Sequence, residues 1–294
     1  MTRGDIVGAL DIGGTHVSGG RVNVASASLE ARSRASEPLP SAASRAELLA
    51  AISRVTRSIA EPGLTSLGVS VPGPFDYARG ISEITHKLEG LHRVDMRSEL
   101  HAVSTLDPTA IRFLNDAEAF LLGEWWAGAA RGHVRAVGIT LGTGLGSAFS
   151  EEGEIVRSGV GVPARGELHT VEFHGSPVEQ TISRAALLAA YGTSLDEGID
   201  VEQLAHRAKL GDPPARRLFV DLGTALGEFL TPWLRAFEPS CLVVGGSIAR
   251  AWDLFEDTLR AELEPIPGLQ SVTAAAQLED APLLGAAYYA AQRQ

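Results

Sequence analysis

The sequence predicts an α/β protein made of two related halves. Strand, strand, strand, helix and strand follow one another early in the chain, and a similar order recurs after residue 134. Helical segments with apolar residues at helical spacing alternate with short apolar strands, several of which end abruptly at glycines. The chain has 294 residues, which is enough for two medium-sized domains that each have a core.

In the first half, three short strands precede a helix. β-Prone runs predict the strands, and Ser44 and Glu47 form a capping box where the helix begins. Gly132 ends the last helix of this half. The predicted elements are strands at residues 5–12, 16–24, 28–36, 66–72 and 110–114, and helices at 44–60, 95–104 and 117–130.

In the second half, a strand, a glycine-rich turn and a returning strand occupy residues 134–149. We expect Pro232 to interrupt the longest helical stretch, because proline removes a backbone donor. The further predicted elements are helices at 179–191, 201–210, 214–237, 247–263 and 282–292, and strands at 240–245 and 271–276.

The composition excludes several classes of protein. Hydrophobic residues make up 45% of the chain, but no apolar run approaches the roughly 18 residues that a membrane span needs. The net charge of -11 argues against a nucleic-acid partner, because phosphate backbones bind clustered Lys and Arg. Cys241 is the only cysteine, so an intrachain disulfide and a Cys-based zinc site are ruled out. With no secretory signal visible, we expect a cytoplasmic protein without a membrane partner.

Three glycine-containing turns follow apolar strands, at residues 11–15, 140–146 and 244–247. Glycine lacks a Cβ, so its backbone can turn tightly and approach a phosphate closely. Threonine hydroxyls in the first two turns would add donors, and the third turn opens a helix whose N-terminus also attracts phosphate. One such turn alone is more often a plain hairpin, whereas the set of three indicates a nucleotide site.

Asp11 stands at the start of the first turn and has two interpretations. A carboxylate beside a phosphate-binding turn would repel the phosphate unless a cation lay between them, and Mg²⁺ commonly bridges a carboxylate to nucleotide phosphates. Alternatively, Asp11 caps the turn through an Asx-type hydrogen bond. The residues alone leave both interpretations open.

Asn115 and Asp116 stand where a predicted strand meets a helix. A carboxylate at a helix N-terminus stays ionised, because the first-turn N–H groups and the helix dipole favour the anion. Such an aspartate can accept the proton of a sugar hydroxyl during phosphoryl transfer. The alternative is a plain helix cap.

Five stretches, in this order, resemble the sugar kinases of the ROK family (repressors, open reading frames, kinases). They are "GALDIGGTHVSGGRV", "LGVSVPGPFD", "FLNDAEAFLLGEWWAGAARG", "VGITLGTGLGSAFS" and "CLVVGGSIA". The resemblance covers nearly the whole chain and implies an actin-like, hexokinase-like fold, with two ribonuclease-H-like domains around a central cleft. We expect a small N-terminal domain of residues 1–116 plus 282–294 and a larger C-terminal domain of residues 117–281.

The resemblance also implies ATP and Mg²⁺ as cofactors. Asp11 would hold the metal ion, the first two turns would hold the phosphates, and the third would lie near the adenosine. The nucleotide-binding residues it implies are Gly13, Gly14, Thr15, Thr140, Gly142, Thr143, Gly144, Gly245, Gly246 and Ser247.

For the sugar, the resemblance implies Asp116 as the catalytic base and as a substrate ligand. The other substrate-binding residues it implies are Pro72, Gly73, Asn115, Glu167, His169 and Glu179. Trp125 and Trp126 could form a sugar-stacking platform, but packing in the core or at a dimer face is the simpler interpretation.

This chain departs from the family pattern at two places. Related kinases carry Gly-Glu-x-Gly-His and a cysteine-rich zinc motif before a sugar-binding glutamate. Here "GELHTVEFHGSPVEQTIS" keeps Glu167 and Glu179, places His169 one residue early and contains no cysteine. His169 is therefore either a sugar ligand or an ordinary loop histidine. Lys87 replaces an asparagine that contacts the sugar in relatives, which suggests a changed substrate.

The function we expect is glucokinase-like phosphorylation of a hexose by ATP and Mg²⁺, at the 6-hydroxyl, in a homodimer. An amino-hexose such as kanosamine is a credible substrate, because Glu167, Glu179 and the nearby Glu172 would bind an ammonium through charge-assisted hydrogen bonds. One alternative is a polyphosphate-dependent glucokinase, which the lack of a dense basic stripe disfavours. Another is a non-catalytic, sugar-sensing regulator, although four residues before the first strand leave no room for a DNA-binding domain.

Overall fold

The computed structural model of the chain describes residues 6–61, 63–85, 88–192 and 198–292. Its strands are β1 (Ile6–Ile12), β2 (His16–Asn23), β3 (Ser28–Leu29), β4 (Ala35–Pro38), β5 (Leu67–Val71), β6 (Phe75–Asp76), β7 (Ile81–Ser82), β8 (Ile111–Asn115), β9 (Arg135–Leu141), β10 (Leu145–Glu151), β11 (Glu154–Ile155), β12 (Glu172–Phe173), β13 (Ser176–Pro177), β14 (Cys241–Gly245) and β15 (Ser271–Ala274). Its α-helices are α1 (Arg45–Ile59), α2 (Met96–Ser104), α3 (Asp116–Ala127), α4 (Arg184–Tyr191), α5 (Val201–Lys209), α6 (Pro213–Phe237), α7 (Glu256–Leu263) and α8 (Ala281–Ala291).

Backbone contacts divide the chain into two compact units. Unit 1 comprises Met1–Gly128 and Glu279–Gln294, and unit 2 comprises Ala129–Leu278. Each unit has its own buried core. The division falls after helix α3, whereas the domain boundary expected from the sequence falls before it. Helix α3 lies with unit 1 because it packs along α8, the C-terminal helix of the same unit.

The main sheet of unit 1 has the strand order β3-β2-β1-β5-β8, and β4 also pairs with β2. Strands β1, β2 and β3 are antiparallel neighbours, whereas β1, β5 and β8 run parallel. Side chains of β1 and α1, such as Leu10 and Ile52, are buried between the sheet and the helix. The parallel strands therefore end at a common edge, which is where site residues gather in such sheets.

The main sheet of unit 2 repeats this arrangement with the order β11-β10-β9-β14-β15. Strands β9, β10 and β11 are antiparallel neighbours, and β9, β14 and β15 run parallel. Phe149, Phe219 and Phe255 are fully buried in its core. The prediction of two related α/β halves is thus confirmed, and each half has the ribonuclease-H-like strand order.

Some predicted elements differ from those observed. The strand expected at 28–36 is two strands, β3 and β4, separated by a turn in which the Ser33 N–H donates to the Glu30 carbonyl oxygen at 2.9 Å. Pro232 does not interrupt α6, which runs unbroken from Pro213 to Phe237. The neighbouring Leu230 and Leu234 are fully buried, so core packing outweighs the loss of one backbone donor.

The starts of two helices were also predicted imperfectly. Helix α4 begins only at Arg184, because Ser183 caps it by accepting a hydrogen bond from the Ala186 N–H at 3.1 Å. The segment expected as a helix over 247–263 is a 3₁₀ helix, Ile248–Leu254, followed by α7. The third glycine turn is therefore followed directly by a 3₁₀ helix and not by an α-helix.

Replacing Gly285 by alanine is predicted to destabilise unit 1. A Cβ at Gly285 would overlap the Ala119 carbonyl group and lie 2.8 Å from the Gly123 nitrogen. Overpacking against backbone should outweigh the gain in helix propensity of about 1 kcal/mol, giving a net loss of about 1–3 kcal/mol in the free energy of unfolding. Urea denaturation would measure it, with Ala50→Ser at an exposed position of α1 as the control. An unchanged or raised midpoint for Gly285→Ala would contradict the close helix contact.

Candidate active site

Asp11 lies at the carboxyl end of β1, where it is half-buried. Its Oδ1 accepts a hydrogen bond of 2.7 Å from the Ser70 hydroxyl on the neighbouring strand β5. Burial raises the pKa of the Asp11 carboxyl to about 6; the Ser70 bond opposes this shift, and the negative charge of Asp116 adds to it. In the turn itself, the Gly13 N–H donates to the His16 carbonyl oxygen at 2.9 Å, so that amide is not the donor for an Asx cap by Asp11.

The register of the sheet explains why these groups meet. Asp11 pairs with Ser70, and Val71 pairs with Asn115 on the next parallel strand. The ends of β1, β5 and β8 therefore form one edge, with Asp116 as the next residue after Asn115. Asp116 is close enough to Asp11 for its negative charge to raise the pKa of the Asp11 carboxyl further.

Asn115 is held at this edge by hydrogen bonds on both ends of its side-chain amide. Its Oδ1 accepts from the Ala117 N–H at 2.9 Å, and its Nδ2 donates to the Tyr77 hydroxyl oxygen at 3.2 Å. The Tyr77 hydroxyl in turn donates to the Val71 carbonyl oxygen at 3.2 Å. Asn115 thus both caps helix α3 and presents a fixed amide at the sheet edge.

Tyr77 was missed by the sequence reasoning. It follows the loop of Pro72 and Gly73 that leaves β5, and a Cβ at Gly73 would lie 3.6 Å from the Tyr77 hydroxyl. The structure therefore brings Pro72 and Gly73 to the same edge as Asn115. A tyrosine just after a proline–glycine breaker was the available signal, since a phenol ring that packs against a core usually finds a partner for its hydroxyl.

Asp116 is exposed and is the first residue of α3. Its Oδ1 accepts from the Ala117 N–H at 2.9 Å, a donor that it shares with Asn115. A carboxylate in this position is stabilised as an anion by the helix N-terminus. Its side chain is accessible to solvent at this sheet edge.

The first glycine turn joins β1 to β2 at Gly13, Gly14 and Thr15. Thr15 is exposed; its Oγ1 lies 3.1 Å from the His16 Nδ1, and its carbonyl oxygen accepts from the Leu39 N–H at 2.6 Å. The turn is therefore an ordered hairpin that directly follows Asp11 in the chain.

In unit 2, the two remaining glycine turns are neighbours. Gly246 has a φ of +86°, and a Cβ there would collide with the backbone of Leu141 at the end of β9. A Cβ at Gly142 would lie 3.5 Å from the Ser247 hydroxyl oxygen. The register of the sheet also makes the two turns neighbours, since Gly245 of β14 pairs with Thr140 of β9. The structure thus brings together the second and third turns, including the exposed Thr143.

Glu167 and His169 lie on a segment fastened to β10 by one hydroxyl. The buried Ser147 donates to the Gly166 carbonyl oxygen at 2.6 Å and accepts from the Leu168 N–H at 2.9 Å. Glu167 forms an ion pair of 2.7 Å with Arg165, and His169 is exposed on the 3₁₀ turn Leu168–Thr170. The charge of Glu167 is therefore partly compensated by a cation in the same loop.

Glu179 reaches the second glycine turn. Its Oε1 accepts a hydrogen bond of 2.8 Å from the Leu145 N–H. No sequence signal indicated this contact, because the two residues are far apart in the chain. A group assigned to the sugar thus touches the turn assigned to the nucleotide.

Other residues singled out by sequence lie away from these groups or outside the described ranges. The rings of Trp125 and Trp126 pack on the ring of Tyr288 in α8, with centroid distances to Tyr288 of 5.7 Å and 5.4 Å. This agrees with a packing role and not with a sugar-stacking platform. Glu172 is exposed on β12. Lys87 lies outside the described residues.

Neither a multi-residue metal cluster nor a membrane helix is found in the part of the chain that the structure describes. Within those ranges, no group of three or more His, Cys, Asp or Glu side chains is arranged to hold a metal ion. The described helices all lack the length and apolar character that crossing a membrane requires. A site built on one carboxylate would need a metal that takes its other ligands from substrate and water, as Mg²⁺ does.

Two sheets of this strand order define the actin-like class of the ribonuclease-H-like fold. Within that class, the chain belongs to the ROK family, whose profile matches residues 7–293.

Two relatives by sequence and one solved structure are named as sugar kinases. The chain is 29% identical over 251 residues to a glucokinase of Thermotoga maritima, covering 75% of this chain and 77% of that protein. It is 28% identical over 298 residues to an N-acetylmannosamine kinase of Salmonella heidelberg, covering 96% and 97% of the two chains. A ROK family glucokinase from Streptomyces griseus, solved with glucose and AMPPNP, superposes with a TM-score of 0.77 at 24% identity, covering 97% of this chain and 98% of that one. The last likeness shows a shared fold.

Proposed function

We propose that this protein is a sugar kinase that transfers the γ-phosphoryl group of ATP to the 6-hydroxyl of a hexose with the help of Mg²⁺. The observation that carries the proposal is the pair of carboxylates at one sheet edge of unit 1, Asp11 and Asp116, in contrasting environments. Asp11 is half-buried on a strand end, whereas Asp116 is exposed at a helix N-terminus. Such a division suits one carboxylate for a metal and the other for a proton.

The donor set at Asp11 fits Mg²⁺. Its carboxylate has a neutral partner, the Ser70 hydroxyl, and feels the like charge of Asp116. A divalent cation would offset both the burial of the carboxylate and this repulsion. Bound there, Mg²⁺ would supply charge stabilisation for the transferring phosphoryl group.

Asp116 accepts the proton of the 6-hydroxyl as that oxygen forms its bond to the γ-phosphorus, while the bond from phosphorus to the β–γ bridging oxygen breaks and ADP leaves. Asn115, Glu167, His169 and Glu179 bind the sugar. Pro72 and Gly73, at the sheet edge of unit 1, are assigned to the same substrate.

The phosphates are assigned to the first two glycine turns and the adenosine to the third. The residues concerned are Gly13, Gly14, Thr15, Thr140, Gly142, Thr143, Gly144, Gly245, Gly246 and Ser247. Support in unit 2 comes from the direct packing of its two turns. The names of the relatives support the same donor and acceptor classes.

A neutral hexose is favoured over an amino-hexose such as kanosamine. An ammonium would gain most from an uncompensated carboxylate, but the charge of Glu167 is already compensated by Arg165. Glucose is therefore the first substrate to test.

The experiment is a panel of glucose, mannose, N-acetylmannosamine, glucosamine and 3-amino-3-deoxyglucose, each with Mg-ATP and with polyphosphate. We expect hexose 6-phosphate from ATP, identified by ³¹P NMR. Product from polyphosphate alone would identify the other donor. Sugar binding without product from either donor would identify a sugar-sensing regulator and contradict the proposal.

Replacing Tyr77 by phenylalanine should raise KM for the sugar by about fivefold with a smaller effect on kcat, because one hydrogen bond to Asn115 is worth about 1 kcal/mol. Steady-state kinetics at saturating ATP would measure this split. Tyr289→Phe is the matched control, since it removes a phenol hydroxyl in the same unit and keeps the ring that stacks on Arg112. Equal KM values for Tyr77→Phe and wild type would show that Tyr77 does not orient Asn115.

A further inference from the structure

The carboxylate of Glu179 occupies the space that a side chain at Gly144 would need. Its Oε1 accepts from the Leu145 N–H at 2.8 Å, and a Cβ built on Gly144 would overlap this oxygen and lie 3.3 Å from the Cδ. The backbone of Gly144 is outside the left-handed region, so a positive φ is not what requires glycine at this position. Space for Glu179 is therefore the reason that the structure supplies for a glycine at position 144.

We propose that Gly144 is a positioning residue for Glu179. Because Gly144 has no side chain, the Glu179 carboxylate can lie directly on the backbone of the second glycine turn. Glu179, which is assigned to the sugar, is thereby fixed in position relative to the turn that is assigned to the phosphates. The proposal rests on the proposed function for the roles of the sugar and the nucleotide, whereas the contact between Gly144 and Glu179 does not depend on it.

Gly142, Gly144 and Gly246 differ in what the structure would lose if a side chain were added. Gly246 is required by its positive φ and by the backbone of Leu141. Gly142 has room, because its Cβ would make an ordinary contact of 3.5 Å with the Ser247 hydroxyl. Only at Gly144, among these three, would an added methyl group meet a side chain assigned to the sugar.

The segment that carries Glu179 is firmly anchored and bonds to the turn at two points. Val178 and Ile182 are fully buried, and the Ile182 N–H donates to the Val178 carbonyl oxygen at 2.8 Å. Beyond them, the Arg184 N–H donates to the Gly142 carbonyl oxygen at 2.9 Å. The turn is thus held on one side by Arg184 and on the other by Glu179.

The two carboxylate oxygens of Glu179 have different surroundings. Oε1 is engaged by the Leu145 N–H, while Oε2 lies farther from the turn, 3.8 Å from the position of a Gly144 Cβ. Oε2 can therefore accept from a sugar hydroxyl without releasing the turn. A methyl group at position 144 would displace both oxygens together, so a change on the nucleotide turn would weaken the sugar site.

The test is a double-mutant cycle of Gly144→Ala and Glu179→Ala in the full chain, with Ser158→Thr as a methyl group added at an exposed position of unit 2 outside the proposed site. Glucose affinity is measured by calorimetry without nucleotide, and stability by the urea midpoint. We expect Gly144→Ala to weaken glucose binding by about 10-fold or more, because hydrogen bonds to a charged carboxylate are lost or misaligned. Ser158→Thr should leave glucose affinity within about twofold, because its side chain is exposed and belongs to no part of the proposed site. Gly144→Ala should also lower the urea midpoint when Glu179 is present. In the Glu179→Ala variant, the same substitution should leave the urea midpoint unchanged.

Unchanged glucose affinity in Gly144→Ala, or an equal midpoint shift with and without Glu179, would overturn the proposal. If Gly144→Ala does not fold, recovery of folding in the double variant supports it, and failure of the double variant contradicts it. If the wild type binds no hexose, the proposed function fails, while the stability cycle still decides whether Gly144 makes room for Glu179.

Discussion

Asp116→Asn is expected to reduce kcat by about 10²–10⁴-fold while sugar affinity and fold are retained. Asparagine has nearly the shape of aspartate, and its side-chain oxygen can still accept from the Ala117 N–H. What it loses is the ability to take the proton of the substrate hydroxyl. Because Asp116 is exposed, its replacement leaves no hole in the core.

Three quantities are measured for the variant and for wild type: kcat, the dissociation constant for glucose and the urea midpoint. Asp95→Asn is the matched control, because Asp95 also starts a helix of unit 1 and accepts from the Ser98 N–H at 3.0 Å, but belongs to no part of the proposed site. Turnover within about threefold of wild type would be too small for the loss of a general base and would remove Asp116 from that role.

The strand ends of unit 1 that carry Asp11 and Asn115 could be predicted because they depend on local patterns, whereas the arrangement of the strands was implied by the family resemblance. Abrupt strand ends at Asp11 and Asn115 are visible in the sequence, and parallel strands bring such ends to one edge. Glycine turns were equally visible, since each follows an apolar run. Their assignment to phosphates came from the family resemblance and remains a proposal.

Contacts between distant residues could not be predicted. Neither the bond from the Leu145 N–H to Glu179 nor that from Asn115 to Tyr77 has a spacing rule, because each joins separate elements of the fold. The unbroken α6 has a related cause: the local cost of Pro232 is visible in the sequence, whereas the core packing that outweighs it is not.

Asp11→Asn is expected to abolish most activity and, at the same time, to stabilise the metal-free protein at neutral pH. Loss of a magnesium ligand should cost about 10²–10⁴-fold in kcat, since metal coordination supplies several kcal/mol of charge stabilisation. The gain in stability follows from the same environment. Burial raises the pKa of Asp11 to about 6 from an ordinary value of 3.8, so the folded protein holds the charged carboxylate unfavourably.

The direction of the pH dependence follows from linkage. A carboxyl whose pKa is raised on folding binds its proton more tightly in the folded state, so its contribution to stability is present below the unfolded pKa and is lost as the pH rises through about 6. Asparagine stays neutral and should still accept from the Ser70 hydroxyl. Wild type and Asp11→Asn should therefore be similarly stable near pH 4, and the variant should be more stable by about 2–3 kcal/mol at pH 7.

Urea denaturation in EDTA between pH 4 and pH 8 would measure the difference, and Asp107→Asn provides a control of opposite sign. Hydrogen bonds from the Thr109 hydroxyl and N–H lower the pKa of Asp107, so that residue stabilises the fold at neutral pH and loses its effect as the pH falls. Mg-AMPPNP should raise the midpoint of wild type more than that of Asp11→Asn. If Asp11→Asn were less stable than wild type at pH 7 without metal, the carboxylate would serve the fold itself, and its assignment to the metal would be wrong.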